Sequence, residues 1–171
     1  MICTERARGS DKIQIGGGIM SDSPAPASSA AELHPLLKTA AAGTVPIAAL
    51  IGFEVHDIAG GRAVGMLQTG PQHANPMGTL HGGVLCDLAD AAMGMAFVST
   101  LTHDQSFTTV NLSIQFFRPV WTTRLTAEAL VVQRGKTTGY IECIVKDENG
   151  KLVAKAASTC IILSGERATG R

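Results

Sequence analysis

Residues 75–94 read NPMGTLHGGVLCDLADAAMG. A polar loop carrying Pro76 and Gly78 gives way at His81-Gly82-Gly83 to an apolar, alanine-rich run. Val84, Leu85, Leu88, Ala92, Met93, Ala96 and Phe97 recur at helical spacing, which predicts a helix from about Gly82 to Thr102. Its nearly all-round apolar character implies burial on most sides. Two acids, Asp87 and Asp90, nevertheless stand inside it, three positions apart and so on one helical face. Acid on a helix built for a core calls for a use.

The flanks set the class. Upstream, GFEVHDIAGGRAVGMLQTG (52–70) reads as two strands around the Gly60-Gly61 turn. Downstream come four strand-like runs, 107–117, 123–134, 138–147 and 152–163, parted by Pro119, Gly135 and Asn149-Gly150. The DENG turn before the last run is a strong hairpin signal. Two strands, one long helix and four strands make an α+β chain. The expected form is a curved antiparallel sheet of about six strands wrapped around one central helix. Ahead of the first strand, AAELHPLLKTA (30–40) reads as a short amphipathic helix interrupted by Pro35. VPIAALIG (45–52) reads as another, with Pro46 near its first turn and Gly52 as its stop. Residues 1–30 are rich in Gly, Ser, Pro and Ala without periodicity and are expected to be disordered. Met20 is a second candidate start, which would make 1–19 a non-native extension. Residues 31–165 then form a single domain and 166–171 a flexible tail.

Composition excludes several activities. The chain has 171 residues, enough for one domain, and is 45% apolar and 16% charged. Fourteen Lys and Arg balance fourteen Asp and Glu, so no basic field recruits nucleic acid or an anionic membrane. Aromatic residues at 4% argue against base stacking as the main activity. No apolar run reaches the ~18 residues of a membrane span, and no signal-peptide pattern opens the chain. Cys3, Cys86, Cys143 and Cys160 form no CxxC pair and none lies near a His at zinc-site spacing, so no metal is expected. His56, His73 and His103 likewise lack partners at ligand spacing; loop or surface roles are expected for them. Reduced, buried thiols suit a cytoplasmic protein.

HANPMGTLHGGVLCDLADAAMG (73–94), VNLSIQFFRPV (110–120) and VVQRGKTTGYIECIVKDENGKLVAKAASTCIIL (131–163) together resemble the hotdog-fold acyl-CoA thioesterases, in particular the phenylacetyl-CoA (PaaI-type) branch. The resemblance covers roughly residues 45–163. Its specific part is N-x-x-G-x-x-H-G-G with an acid nine residues past the His; HGG alone is a weak signal. The family fold, a sheet rolled around a helix, is the arrangement that periodicity gives independently.

Thioester cleavage needs attack on the carbonyl and stabilisation of the oxyanion. Amides at a helix N-terminus suit the second task, because they lack intrahelical partners and the dipole favours negative charge. Gly82 and Gly83 stand there, and glycine admits close approach to the backbone. By resemblance, the Gly82 amide polarises the thioester carbonyl, Asn75 and His81 hold the carbonyl or its loop, and Asp90 is the catalytic carboxylate, acting as nucleophile or as general base on water. Thr109 matches a position where some relatives place a Ser or Thr that positions the water. Gly82 and Asp90 are eight residues, about 12 Å, apart along one helix, too far to serve one carbonyl carbon. The resemblance implies the resolution: hotdog dimers pair their helices, so Asp90 of one subunit faces Gly82 of the other. A homodimer is then required, and a dimer of dimers is expected.

Arg134, Gly135 and Lys136 in QRGKTTG, and Arg118 in FFRPV, are candidates to meet the phosphates of coenzyme A, which belongs to the substrate; no separate cofactor is expected. Met93 and Phe97 are candidate acyl-pocket residues. Each has a plainer reading: a tight helix entry for the glycines, a solvated or capping acid for Asp87, a hydrogen-bonded dimer contact for Asp90, an ordinary strand residue for Thr109, solvated turn charge for the cations, and core for Met93 and Phe97. Two other activities use the same fold, a hydratase or dehydratase with an acid–His dyad and a non-catalytic acyl-CoA-binding module. The Asn-loop-HGG pattern fits hydrolysis better than the first, and the presence of Asp90 speaks against the second.

Overall fold

The computed structural model describes residues 34–42 and 45–168, so the expected disorder of residues 1–30 lies outside the described residues. Two short helices, α1 (Pro35–Ala41) and α2 (Pro46–Ile51), lead into strands β1 (Phe53–Ala59) and β2 (Arg62–Gln68). After a loop comes α3 (Gly82–Val98), then β3 (Gln105–Phe116), β4 (Arg124–Arg134), β5 (Thr138–Asp147) and β6 (Leu152–Ser164). Pro35 opens α1 rather than interrupting it, as suits a residue whose missing N–H would have no helical partner at that position. The His34 ring accepts from Leu36 N at that end. Gly52 closes α2 in the left-handed region at φ 87°. Gly60 and Gly61 both carry positive φ in the β1–β2 turn, the requirement of the tightest hairpins. A 3-10 turn at Gly165–Ala168 follows β6, where the start of a tail was expected.

All strand pairs are antiparallel, in the order β1-β2-β4-β5-β6-β3. The chain leaves β2, crosses the sheet as α3 and lays β3 on the far edge; β4, β5 and β6 then fill the gap. Helix α3 rests chiefly on β2, β4 and β5. Leu85, Leu88, Ala89, Ala92, Met93, Ala96 and Phe97 bury against alternate residues of the strands, including Leu67, Leu125, Ile141 and Val145. This is the hotdog arrangement, a sheet of six strands around a helix of 17 residues. Among the described residues no helix is long and apolar enough to cross a membrane.

Of the described glycines, the one at which an added Cβ has least room lies where β5 passes the helix. A Cβ built on Gly139 would stand 2.1 Å from Phe97 Cε2. The Phe97 ring is fully buried and locked edge-on against Phe107, centroids 5.6 Å apart, so it has no room to retreat. Gly139→Ala is therefore expected to cost about 2–3 kcal/mol, lowering Tm by roughly 5–10 °C. A thermal melt matching the wild type would show that the helix can lift from β5 at little cost.

Candidate functional site

The loop from Gly70 to His81 carries the chain from β2 to the start of α3, and its own side chains hold it. Asn75 Oδ1 accepts from the N–H groups of Met77 (2.9 Å) and Thr79 (3.3 Å), while its Nδ2 donates to Thr79 Oγ1 (2.9 Å). Of the two tasks open to Asn75, these bonds serve the loop. His73, for which a loop or surface role was expected, is buried. Its Nδ1 accepts from Gly70 N, its Nε2 donates to Ile51 O at 2.8 Å, and its carbonyl accepts from His81 N. Ring and backbone of this one residue thus tie the end of α2 to the entry of α3. A lone His in a loop gives no sequence sign of such a three-way contact.

His81 is the N-cap of α3. Its Nδ1 accepts from Gly83 N at 2.9 Å, and its carbonyl accepts from Val84 N at 3.1 Å. Two first-turn donors are thereby taken. Gly82 N–H, with no residue four positions back in the helix, is the one left for a ligand. Over it lies the Phe116 ring at the end of β3; a Cβ on Gly82 would come within 3.1 Å of that ring. Phe116 is half exposed, a wall for whatever reaches the Gly82 amide, and sequence reasoning missed it because the contact spans 34 positions of chain.

Asp90 lies two turns further along, on the exposed side of α3 with Asp87. Desolvation by its surroundings, and then the Asp87 charge, raise its carboxyl above the usual carboxylate range. Both acids face a groove of about 880 Å³ between α3, α2 and the free edge of β1. Its apolar lining includes Val45, Ala48, Phe53, Val55, Ala91 and Met95. The expected pocket residues Met93 and Phe97 are not there. Both are fully buried against the sheet, and Ala91 and Met95 occupy the groove side of the helix instead. On the other flank, Thr109 Oγ1 lies 3.7 Å from Cys160 Sγ. Burial raises the Cys160 thiol, and the charge of Asp90 adds to that rise, so Asp90 and the Thr109–Cys160 pair share one neighbourhood. Cys143, in the core, is pushed up to about 12 by burial and is an inert packing group.

The cations do not cluster within one chain. Arg134 donates to Gln105 Oε1 (3.1 Å) at the start of β3, whereas Arg118, just past its end, donates from Nε to Leu152 O (2.8 Å). The strand between them is twelve residues, up to about 36 Å when extended. Gly135 N donates to Thr138 O in the tight β4–β5 turn, and Lys136 is exposed there. Arg118 lies at the Gly82 end of the molecule; Arg134, Gly135 and Lys136 lie at the opposite end.

The profile of the thioesterase superfamily matches residues 77–154, from the loop to the first residues of β6. A Saccharolobus solfataricus protein whose esterase name is itself provisional is 33% identical over 103 residues, 60% of this chain and 73% of that protein. The 1,4-dihydroxy-2-naphthoyl-CoA hydrolase of Listeria monocytogenes is 27% identical over 112 residues, 66% of this chain and 91% of that one. Among solved structures, the Escherichia coli PaaI protein from the phenylacetic acid degradation operon superposes with a TM-score of 0.68 at 27% identity, covering 75% of this chain and 91% of that one. A matching profile, these relatives and a helix entry with one amide left open agree: the chain belongs to the thioesterase superfamily, as a PaaI-like, hotdog-fold thioester hydrolase.

Proposed function

We propose that the protein hydrolyses acyl-CoA thioesters to a free carboxylic acid and coenzyme A, at sites shared between two subunits. The observation that carries this is the open Gly82 N–H on the same helix as Asp90, with the carboxyl of Asp90 raised. The Gly82 amide, aided by the helix dipole, polarises the thioester carbonyl and receives the oxyanion. Asp90 supplies the carboxylate, attacking the carbonyl or taking a proton from water; Thr109 positions that water. His81 and Asn75 hold the entry of α3 in place, and the Gly83 N–H is engaged in that hold. The relative that acts on a naphthoyl-CoA ester supports coenzyme A as the thiol.

Eight helical residues put Gly82 and Asp90 of one chain about 12 Å apart, so each carbonyl is served by Gly82 of one subunit and Asp90 of its partner. The sheet supports that pairing. β3 is a twelve-residue strand on the open edge, with Val110 and Phe116 exposed, and such an edge invites another chain. Two β3 strands paired antiparallel bring Arg118 of one subunit near the Arg134 turn of the other. That answers the separation of the cations within one chain and yields a composite phosphate site.

The test mixes the protein with a panel of saturated and enoyl acyl-CoA esters and a thiol reagent. Thiol release is expected. Saturable binding without release would assign a binding module instead, and water addition to an enoyl ester without thiol release a hydratase. Arg134→Ala should raise KM for acyl-CoA about 5- to 10-fold with kcat nearly unchanged, as loss of one charge-assisted contact does. S-acyl pantetheine, which lacks those phosphates, should not distinguish the variant from wild type. An unchanged KM would return Arg134 to a strand-end charge held by Gln105.

A further inference from the structure

The groove beside Asp90 has a charge pattern that hydrolysis itself does not require. Its apolar floor comes from α2, β1 and the Ala91–Met95 side of α3, and its acid comes from α3 as two carboxylates on one face, Asp87 and Asp90. Among the described residues its lining contains no Lys or Arg. Glu54 and His56 stand at the β1 rim and satisfy each other, His56 Nε2 to Glu54 Oε2 at 2.9 Å. A His⁺ there would be spoken for. An acyl group seated in this groove therefore meets apolar surface plus uncompensated negative charge.

We propose that Asp87 makes the groove a charge filter, so that the enzyme takes neutral acyl groups and rejects acyl groups ending in a carboxylate. This rests on the reading of the groove as the acyl side of the Asp90 site. Specificity of this kind is a difference of affinities built from a repulsive element. A second carboxylate brought within several ångströms of Asp87 at the protein surface meets like-charge repulsion worth about a factor of ten. A neutral chain of the same length meets only Ala48, Val55, Ala91 and Met95. One turn from Asp90 and on its face, Asp87 reaches the distal acyl atoms without needing to touch the reacting carbon.

The experiment compares three five-carbon esters of coenzyme A: pentanoyl, glutaryl, and the glutaryl monoamide. The amide carries the polarity and size of the acid without its charge. Wild type is expected to favour pentanoyl over glutaryl by at least about tenfold in kcat/KM, with the monoamide close to pentanoyl. Asp87→Asn should shrink the pentanoyl-to-glutaryl ratio about tenfold, and added salt should shrink it in wild type. The ratio is internal to each enzyme sample, so a partly folded variant does not distort it. Glutaryl hydrolysed as fast as pentanoyl by wild type, or an unaltered ratio in Asp87→Asn, overturns the filter. Rejection of the monoamide alongside glutaryl overturns it too, since polarity and not charge would then be excluded. Thiol release from none of the three would fail the hydrolase reading instead, which keeps the two failures apart.

Discussion

Asp90→Asn is expected to lose at least about a hundredfold in kcat while becoming more resistant to heat at neutral pH. The two effects have one source. The folded protein holds the Asp90 carboxyl in a partly desolvated place beside Asp87, so its pKa lies above the unfolded value. A carboxyl raised on folding binds its proton more tightly in the native state. Its stabilising contribution is present at low pH and is lost as pH rises through the window between the unfolded and the folded pKa. At pH 7 the charge is a burden, and the amide, nearly the same shape, relieves it. Melting temperatures of variant and wild type should differ at pH 7 and converge as pH falls below the ordinary carboxylate range. A dimer-contact acid behaves oppositely: its replacement lowers stability and leaves kcat near wild type. The same pKa places the acid limb of the wild-type kcat/KM profile above the ordinary carboxylate range, because the working form is ionised. Losing the Asp87 charge should move that limb to lower pH. Wild-type kcat in Asp90→Asn would remove Asp90 from the chemistry.

Strand content was legible because most of the sheet is half buried and its turns carry explicit chemistry. Gly60-Gly61 and Asn149-Gly150 sit where β1–β2 and β5–β6 turn, and the observed strands begin and end within about two residues of those expected. The helix was legible by period, but its end was not. Helix α3 stops at Val98, short of the expected Thr102. The hydroxyls of Ser99 and Thr100 donate back to Ala96 O and Phe97 O, and Ser99 Oγ accepts from Gly61 N in the opposite hairpin. That last bond is tertiary and leaves no local trace. The groove side of the helix was not legible for a related reason. A helix apolar on nearly every side does not say which side the sheet takes, so Met93 and Phe97 looked as available as Ala91 and Met95. The site motif was legible as spacing, yet what singles out Gly82 is subtraction: His81 takes the Gly83 and Val84 donors.

Mixing two inactive variants should restore activity, because the proposed site divides its parts between chains. One partner is Asp90→Asn. The other is Gly82→Val, whose branched side chain would meet the Phe116 ring where even a Cβ stands at 3.1 Å, closing the approach to the amide. Each homodimer is dead, the first for want of a carboxylate and the second for want of a carbonyl clamp. In a heterodimer one of the two composite sites joins both lesions. The other joins an intact Gly82 loop to an intact Asp90. Random co-refolding gives about half heterodimers, each with one good site in two, so thiol release should approach about a quarter of the wild-type rate. A site built within one chain gives none, since every chain then carries its own lesion. Circular dichroism of each variant alone, and the mass of the mixed species, decide whether folding and assembly occurred. Gly82→Ala, with its smaller clash, serves if the valine variant does not fold. Folded heterodimers at baseline activity would overturn the cross-subunit mechanism. They would also force Gly82 and Asp90 of one chain to act across about 12 Å, a span that no single thioester carbonyl can bridge.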